Sequence, residues 1–138
     1  MDTQSLFSLA GRTALVTGGS RGIGKMIATG FIAQGAKVYI SSRKADVCEA
    51  VAEELGPNCI AVPQDISTVD GCKALAATMA EHESGIDILV NNAGAAWGES
   101  FETFPEAGWD KVMDLNVKSI FFLTQATVSY THLRAHET

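Results

Sequence analysis

The sequence predicts an α/β protein: a doubly wound parallel sheet, of which it supplies the N-terminal half with strand order 3-2-1-4 and flanking helices. Three observations carry that reading. Short, continuous apolar runs alternate with segments of helical periodicity, as strands buried on both faces by crossover helices do. A glycine-rich turn, Thr17-Gly18-Gly19-Ser20-Arg21-Gly22-Ile23-Gly24, joins the first strand to the first helix. Right-handed crossovers from a central first strand then fix the order of the others.

Each element has its own signal. Thr13–Thr17 is a short apolar strand. Gly22–Gln34 is a helix, with Ile23, Ile27 and Phe31 on one stripe beside Ala28 and Ile32, and Gly35 ends it. Lys37–Ser41 is the second strand. Ala45–Leu55 is the second helix, with Val47, Val51 and Leu55 on one face, and Gly56-Pro57-Asn58 stops it. Cys59–Val62 is the third strand, and Thr68–Glu83 a helix with Cys72, Leu75, Ala76 and Met79 inward. Ile86–Val90 is the fourth strand, running into Asn91-Asn92-Ala93-Gly94. A polar, Gly-rich loop reaches about Phe104, and Pro105 suits the first position of a long helix. Its apolar positions are Trp109, Val112, Met113, Val117, Ile120, Phe121 and Leu123.

The 138 residues leave room for one domain with a real core, residues 1–128. The net charge of −6 argues against a nucleic-acid partner, which needs a basic face. Cys48, Cys59 and Cys72 are odd in number and lack metal-like pairing. They read as reduced, buried thiols of a cytoplasmic protein. Met1–Arg12 has no signal-peptide pattern, and no apolar run reaches membrane-spanning length. The last stretch, Ser129–Thr138, loses the apolar pattern and holds two of the three histidines. It reads as a non-native tail resembling a translated adapter scar, with a frayed natural terminus as the alternative.

The glycine turn points to a nucleotide cofactor. Its glycines let the backbone turn tightly and approach a pyrophosphate, and the helix that follows aims N–H groups at the same anion. A P-loop reading of Gly19 to Lys25 fails because Met26 stands where Ser or Thr must hold Mg²⁺. The second strand ends in Ser41-Ser42-Arg43-Lys44, without the acid that binds the ribose 2′-hydroxyl of NAD. Arg43 and Ser42, with Arg21 from the glycine turn, instead suit the 2′-phosphate of NADP(H). Asp65, before Ile66, is placed either to accept from adenine or to close a local turn. Asn91-Asn92-Ala93-Gly94 lies at the carboxyl end of the fourth strand, where open α/β sheets bind ligands. Asn116 is polar within an apolar helical run, so it faces solvent or has its amide bonded.

Together these residues resemble the short-chain dehydrogenase/reductase family, from about Leu9 to Thr127. The resemblance implies a Rossmann-type sheet that binds NADP(H) through Gly18, Ser20, Arg21, Gly22, Ile23, Gly24, Ser42, Arg43, Asp65, Ile66, Asn91, Ala93 and Gly94. It makes Asn116 the helix Asn of a catalytic tetrad, whose backbone carbonyl holds a water in a proton relay. It implies reduction of a small-molecule or acyl-carrier-protein-linked carbonyl, in an enzyme that assembles as a homotetramer. Ser-Leu-Ala-Gly-Arg near the start, Ala96-Trp97-Gly98 and Gly108 to Met113 are similar to NADPH-dependent 3-oxoacyl-[acyl-carrier-protein] reductases, including the rhamnolipid-associated branch. Gluconate 5-dehydrogenases are similar in the same stretches.

The family's Ser, Tyr and Lys have no counterpart here. Tyr130-Thr131-His132-Leu133-Arg134 mimics Tyr-x-x-x-Lys, but it follows Asn116 too closely, and Arg is no pKa-tuned amine. The sequence therefore reads as the N-terminal half of an oxidoreductase, inactive by itself, with a non-catalytic NADP-binding module as the alternative. An unpaired outer edge on the fourth strand and exposed apolar residues on the long helix are expected.

Overall fold

A computed structural model describes residues 2–129. The expectations for Tyr130 and for the tail beyond Ser129 lie outside the described residues. Four parallel strands form one sheet in the order β3-β2-β1-β4. They are β1 (Thr13–Thr17), β2 (Lys37–Ser41), β3 (Cys59–Ala61) and β4 (Ile88–Val90). Thr17 lies level with Ser41, and Val16 with both Ile40 and Val90, so the carboxyl ends of the central strands finish together. Among the described residues β4 pairs only with β1, which leaves its outer edge unpaired as expected.

Alternation along the strands builds two cores. Ala14, Val16, Val38 and Ile40 face one side, where α2 (Gly22–Ala33) and α3 (Ala45–Leu55) pack. Leu15, Tyr39 and Leu89 face the other. There α4 (Val69–His82) brings Cys72, Leu75 and Met79. A short α1 (Thr3–Leu6) precedes the sheet. It was not expected, and Asp2 caps it by accepting from the Gln4 N–H.

Two helical faces differ from the periodicity reading. In α3 the inward residues are Cys48, Val51 and Ala52, while Val47 is exposed. In α2 Ile23 is 65% exposed, because its position at the helix start lies at the sheet's carboxyl edge rather than over the core.

The long helix is not uniform. It runs as α5 (Glu106–Met113), a π-helical turn (Asp114–Lys118) and α6 (Ser119–Val128). The wider turn shifts the phase of everything after it. Leu115, Ser119, Phe122, Leu123 and Thr127 face inward, with Leu123 fully buried. Of the expected apolar positions, Trp109, Val117, Ile120 and Phe121 face outward as an exposed apolar stripe. The buried Ser119 and Thr127 hydroxyls donate to the carbonyls of Leu115 and Leu123, which satisfies them within the helix.

Candidate functional site

The ends of β1 and β4 are knitted by two side chains. The Thr17 hydroxyl donates to the Val90 carbonyl (3.2 Å) and accepts from the N–H groups of Asn92 (3.0 Å) and Ala93 (3.1 Å). The Asn92 amide donates back to the carbonyls of Thr17 and Gly18 (3.2 and 3.3 Å). Gly18 turns with φ +65°, and a Cβ on Gly24 would lie 2.1 Å from its carbonyl oxygen. Only hydrogen fits at Gly24, so α2 starts in contact with the end of β1. Its N-cap, Arg21, makes no side-chain cap hydrogen bond, so its side chain leaves the first N–H groups of the helix uncapped.

A crevice of about 780 Å³ opens across these strand ends. Gly18, Ser20, Arg21, Gly22 and Ile23 line its middle. Ser42, Arg43, Asp65 and Ile66 line the end over β2 and β3, and Ala93 and Gly94 the end over β4. Of the expected site residues only Gly24, Asn91 and Asn116 do not line it. Gly24 sits beneath, as the contact just described. Asn91 lies off it because side chains alternate along extended backbone: Asn92 faces β1, while the Asn91 amide donates to Thr124 on α6 (3.3 Å). Asn116 sits in the π-helical turn, and its side chain is bound to the loop leaving β4. Its Oδ1 accepts from the Ala95 N–H (2.7 Å) and its Nδ2 donates to the Ala95 carbonyl (2.9 Å). The amide is thus bonded, and the solvent-facing alternative does not hold.

Several lining residues escaped the sequence reading: Ser41, Gln64, Ser67, Lys111, Asp114 and Leu115. Ser41 and Gln64 had a signal, since each follows an apolar strand run. The three from α5 and its π-helical turn had none, because only tertiary contact with the loop leaving β4 brings them there.

The electrostatics separate the two ends. At the β2 end stand the Arg43 guanidinium and the hydroxyls of Ser41 and Ser42, with Arg21 beside them in the glycine turn. Both hydroxyl oxygens are buried and have no hydrogen-bond partner. Buried polar groups without partners are costly, so a ligand that bonds them gains from it. Asp65 holds its carboxyl below the usual carboxylate range, chiefly by accepting from the Ser67 backbone N–H (2.9 Å), with the Arg43 charge a smaller cause. The local turn and the crevice position therefore coexist in Asp65. Lys25, the residue a P-loop reading would need, points away and pairs with Glu54 (2.9 Å).

These features fit a dinucleotide phosphate: a helix N-terminus without a side-chain cap and Arg21 at the centre, Arg43 and unpartnered hydroxyls to one side, small residues to the other. Among the described residues no cluster of His, Cys, Asp or Glu could hold a metal. No described helix is long and apolar enough to cross a membrane.

A family model described as short chain dehydrogenase matches residues 12–136. The chain is 51% identical over 121 residues to a rhamnolipids biosynthesis 3-oxoacyl-[acyl-carrier-protein] reductase of Pseudomonas aeruginosa, covering 86% of this chain and 47% of that protein. It is 39% identical to a 2-dehydro-3-deoxy-D-gluconate 5-dehydrogenase of Bacillus subtilis, covering 94% and 52%. Among solved structures, a Pseudomonas aeruginosa RhlG/NADP active-site complex superposes with a TM-score of 0.87 at 49% identity, over 90% of this chain and 49% of that one. A short-chain type dehydrogenase/reductase of Mycobacterium marinum gives 0.86 at 32% identity, over 94% and 54%. The chain thus spans about half the length of the relatives it matches.

Proposed function

The chain belongs to the short-chain dehydrogenase family, and from that premise we propose that it is the NADP(H)-binding half of an oxidoreductase that reduces a carbonyl to a hydroxyl. The observation that carries the cofactor choice is the β2 end of the crevice. Arg43 and the unpartnered Ser41 and Ser42 hydroxyls stand there, Arg21 lines the adjoining glycine turn, and no acid ends β2. A carboxylate at that point would repel a 2′-phosphate, whereas two guanidinium groups and hydroxyls hold a dianion by charge-assisted hydrogen bonds. The P. aeruginosa complex with NADP, similar over nearly all of this chain, supports the same cofactor.

The roles follow from position. The turn from Gly18 to Gly24, with Ser20, Gly22 and Ile23, holds the pyrophosphate at the mouth of α2. Ser42, Arg43 and Arg21 hold the 2′-phosphate, Asp65 and Ile66 the adenine, and Ala93 and Gly94 the other half of the molecule. The bound cofactor supplies the hydride. Asn116 fixes Ala95 through its side chain, leaving its backbone carbonyl for the proton relay that the family uses. Asn91 is left to join the end of β4 to α6.

A 3-oxoacyl thioester carried on acyl-carrier protein is the substrate best supported, by the 51% identity to the P. aeruginosa reductase. A sugar acid is the second reading, supported by the B. subtilis relative and by a Gluconobacter oxydans gluconate 5-dehydrogenase at 37% identity. We place the full-length enzyme in the cytoplasm as a homotetramer. By itself the 138-residue chain binds NADP(H) without turnover, since it has no Tyr-x-x-x-Lys.

The test is an assay of NADPH oxidation by a full-length version of this sequence. Turnover of a 3-oxoacyl thioester, with little on 5-ketogluconate, is the expected result. Inactivity with both sinks the enzyme reading. Reduction by the purified 138-residue chain would overturn the reading of Tyr130.

A further inference from the structure

The loop that leaves β4 is held at two points. Asn116 fixes Ala95. Two residues on, the Trp97 indole rests on Gly108, the one buried residue of α5. A Cβ on Gly108 would stand 2.8–2.9 Å from three ring carbons of Trp97, so no other residue fits without moving the ring. Lys111 follows three positions later on the same helical face. Its Nζ lies 5.6 Å from the centre of the Trp97 ring, within cation–π reach. Lys111, Ala95 and Ala96 line the crevice, while Trp97 itself does not and is 38% exposed.

The strand order says which part of a ligand this clamp meets. β2 and β3, with the phosphate-binding groups, lie on one side of the glycine turn, and β4 lies on the other. A dinucleotide with its pyrophosphate at the turn and its 2′-phosphate at Arg43 sends its nicotinamide half over β4.

We propose that Trp97, seated on Gly108 and held by Lys111, is a positioning residue that sets the crevice wall at Ala95 and Ala96 for the nicotinamide half of NADP(H). This rests on the cofactor reading above.

The experiment titrates the 138-residue chain and its Trp97→Ala, Trp97→Phe and Lys111→Met variants with NADPH and with adenosine 2′,5′-bisphosphate, by calorimetry. The bisphosphate carries the groups for the β2 end and no nicotinamide. Trp97→Ala is expected to weaken NADPH about ten-fold and the bisphosphate less than about two-fold, with Lys111→Met about three-fold on NADPH alone. Trp97→Phe, which keeps a ring face for Gly108 and Lys111, is expected to restore most of the affinity. Equal losses for both ligands would mean general loosening and overturn the proposal, as would no loss for either. If the unsubstituted chain binds neither ligand, the cofactor reading itself fails and the clamp with it. If it binds both and Trp97→Ala changes neither, the clamp alone fails.

Discussion

Asn116 and Ala95 are joined as two strand neighbours would be, although one is a side chain in a helix and the other a loop backbone. A single amide accepts from the Ala95 N–H and donates to its carbonyl. The pairing fixes the amide's orientation, since a flip would oppose donor to donor and acceptor to acceptor. Asn116 sits within the stretch where the helix widens, Asp114–Lys118.

Replacing Asn116 tests that pairing. Asn116→Ala leaves both Ala95 groups without their partner and is expected to cost about 1–3 kcal/mol in urea unfolding. Asn116→Asp keeps one acceptor but sets a carboxylate against the Ala95 carbonyl. That contact raises the introduced carboxyl's folded-state pKa, so the variant regains stability as pH falls and the protonated acid donates. An Asn116→Asp protein as stable as the parent at neutral pH would contradict the pairing.

Glycines in α2 separate a contact from a propensity. Gly24→Ala drives a Cβ into the Gly18 carbonyl and the Asn92 amide. The backbone must move, at a cost of about 1–3 kcal/mol or more, and the cofactor turn moves with it. Gly30 is exposed in the same helix, with open space where its Cβ would go. Gly30→Ala is therefore expected to stabilise by about 0.5–1 kcal/mol. Thermal melts of the two variants check the contrast, and equal shifts would refute it.

That contrast bears on what was legible in the sequence. The end of β1 follows from an apolar run closed by Gly18 and that of α3 from Gly56-Pro57, and the β2-end residues Ser42 and Arg43 were readable because they terminate an apolar strand. The inward face of the long helix was not readable. Trp109, Val117, Ile120 and Phe121 form the exposed apolar stripe that was expected, but Ser119, Phe122, Leu123 and Thr127 turn inward beyond a π-helical turn that counting at 3.6 residues per turn does not anticipate. Asn116 in that turn is bound to Ala95, a tertiary contact that no local pattern encodes. Lys111 and Asp114 reach the crevice for the same non-local reason.

Away from the site, Glu83 ties β2 to the end of α4. Its Oε1 accepts from the buried Tyr39 hydroxyl (2.7 Å) and pairs with Lys37 (2.6 Å). The Lys37 and Tyr39 hydrogen bonds hold the Glu83 carboxyl below its ordinary value of 4.5, against the opposing effect of burial. A depressed folded-state pKa stabilises above the ordinary carboxylate range, and that contribution is lost as pH falls through the depressed value. Glu83→Gln is expected to be less stable than the parent at neutral pH, with the gap closing below about pH 4.5. Urea titrations at both pH values measure it, and a gap independent of pH would refute the account.

The cysteines are predicted to be silent. All three are buried, and burial pushes each thiol up, Cys59 to about 11. The thiolate is the reactive form, so an aromatic disulfide reagent at about pH 8 is expected to label none rapidly in the folded protein and all after denaturation. Rapid labelling of a native thiol would mean that one of the two cores opens readily.

Calorimetric titration of the 138-residue chain with NADPH and NADH, repeated on Arg43→Ala, addresses the cofactor directly. NADPH is expected to bind tighter than NADH by about 10- to 100-fold, and Arg43→Ala to remove most of that margin while leaving NADH unchanged. Equal affinities, tighter NADH, or an Arg43→Ala protein that keeps its preference would contradict the assignment of the β2 end to a 2′-phosphate.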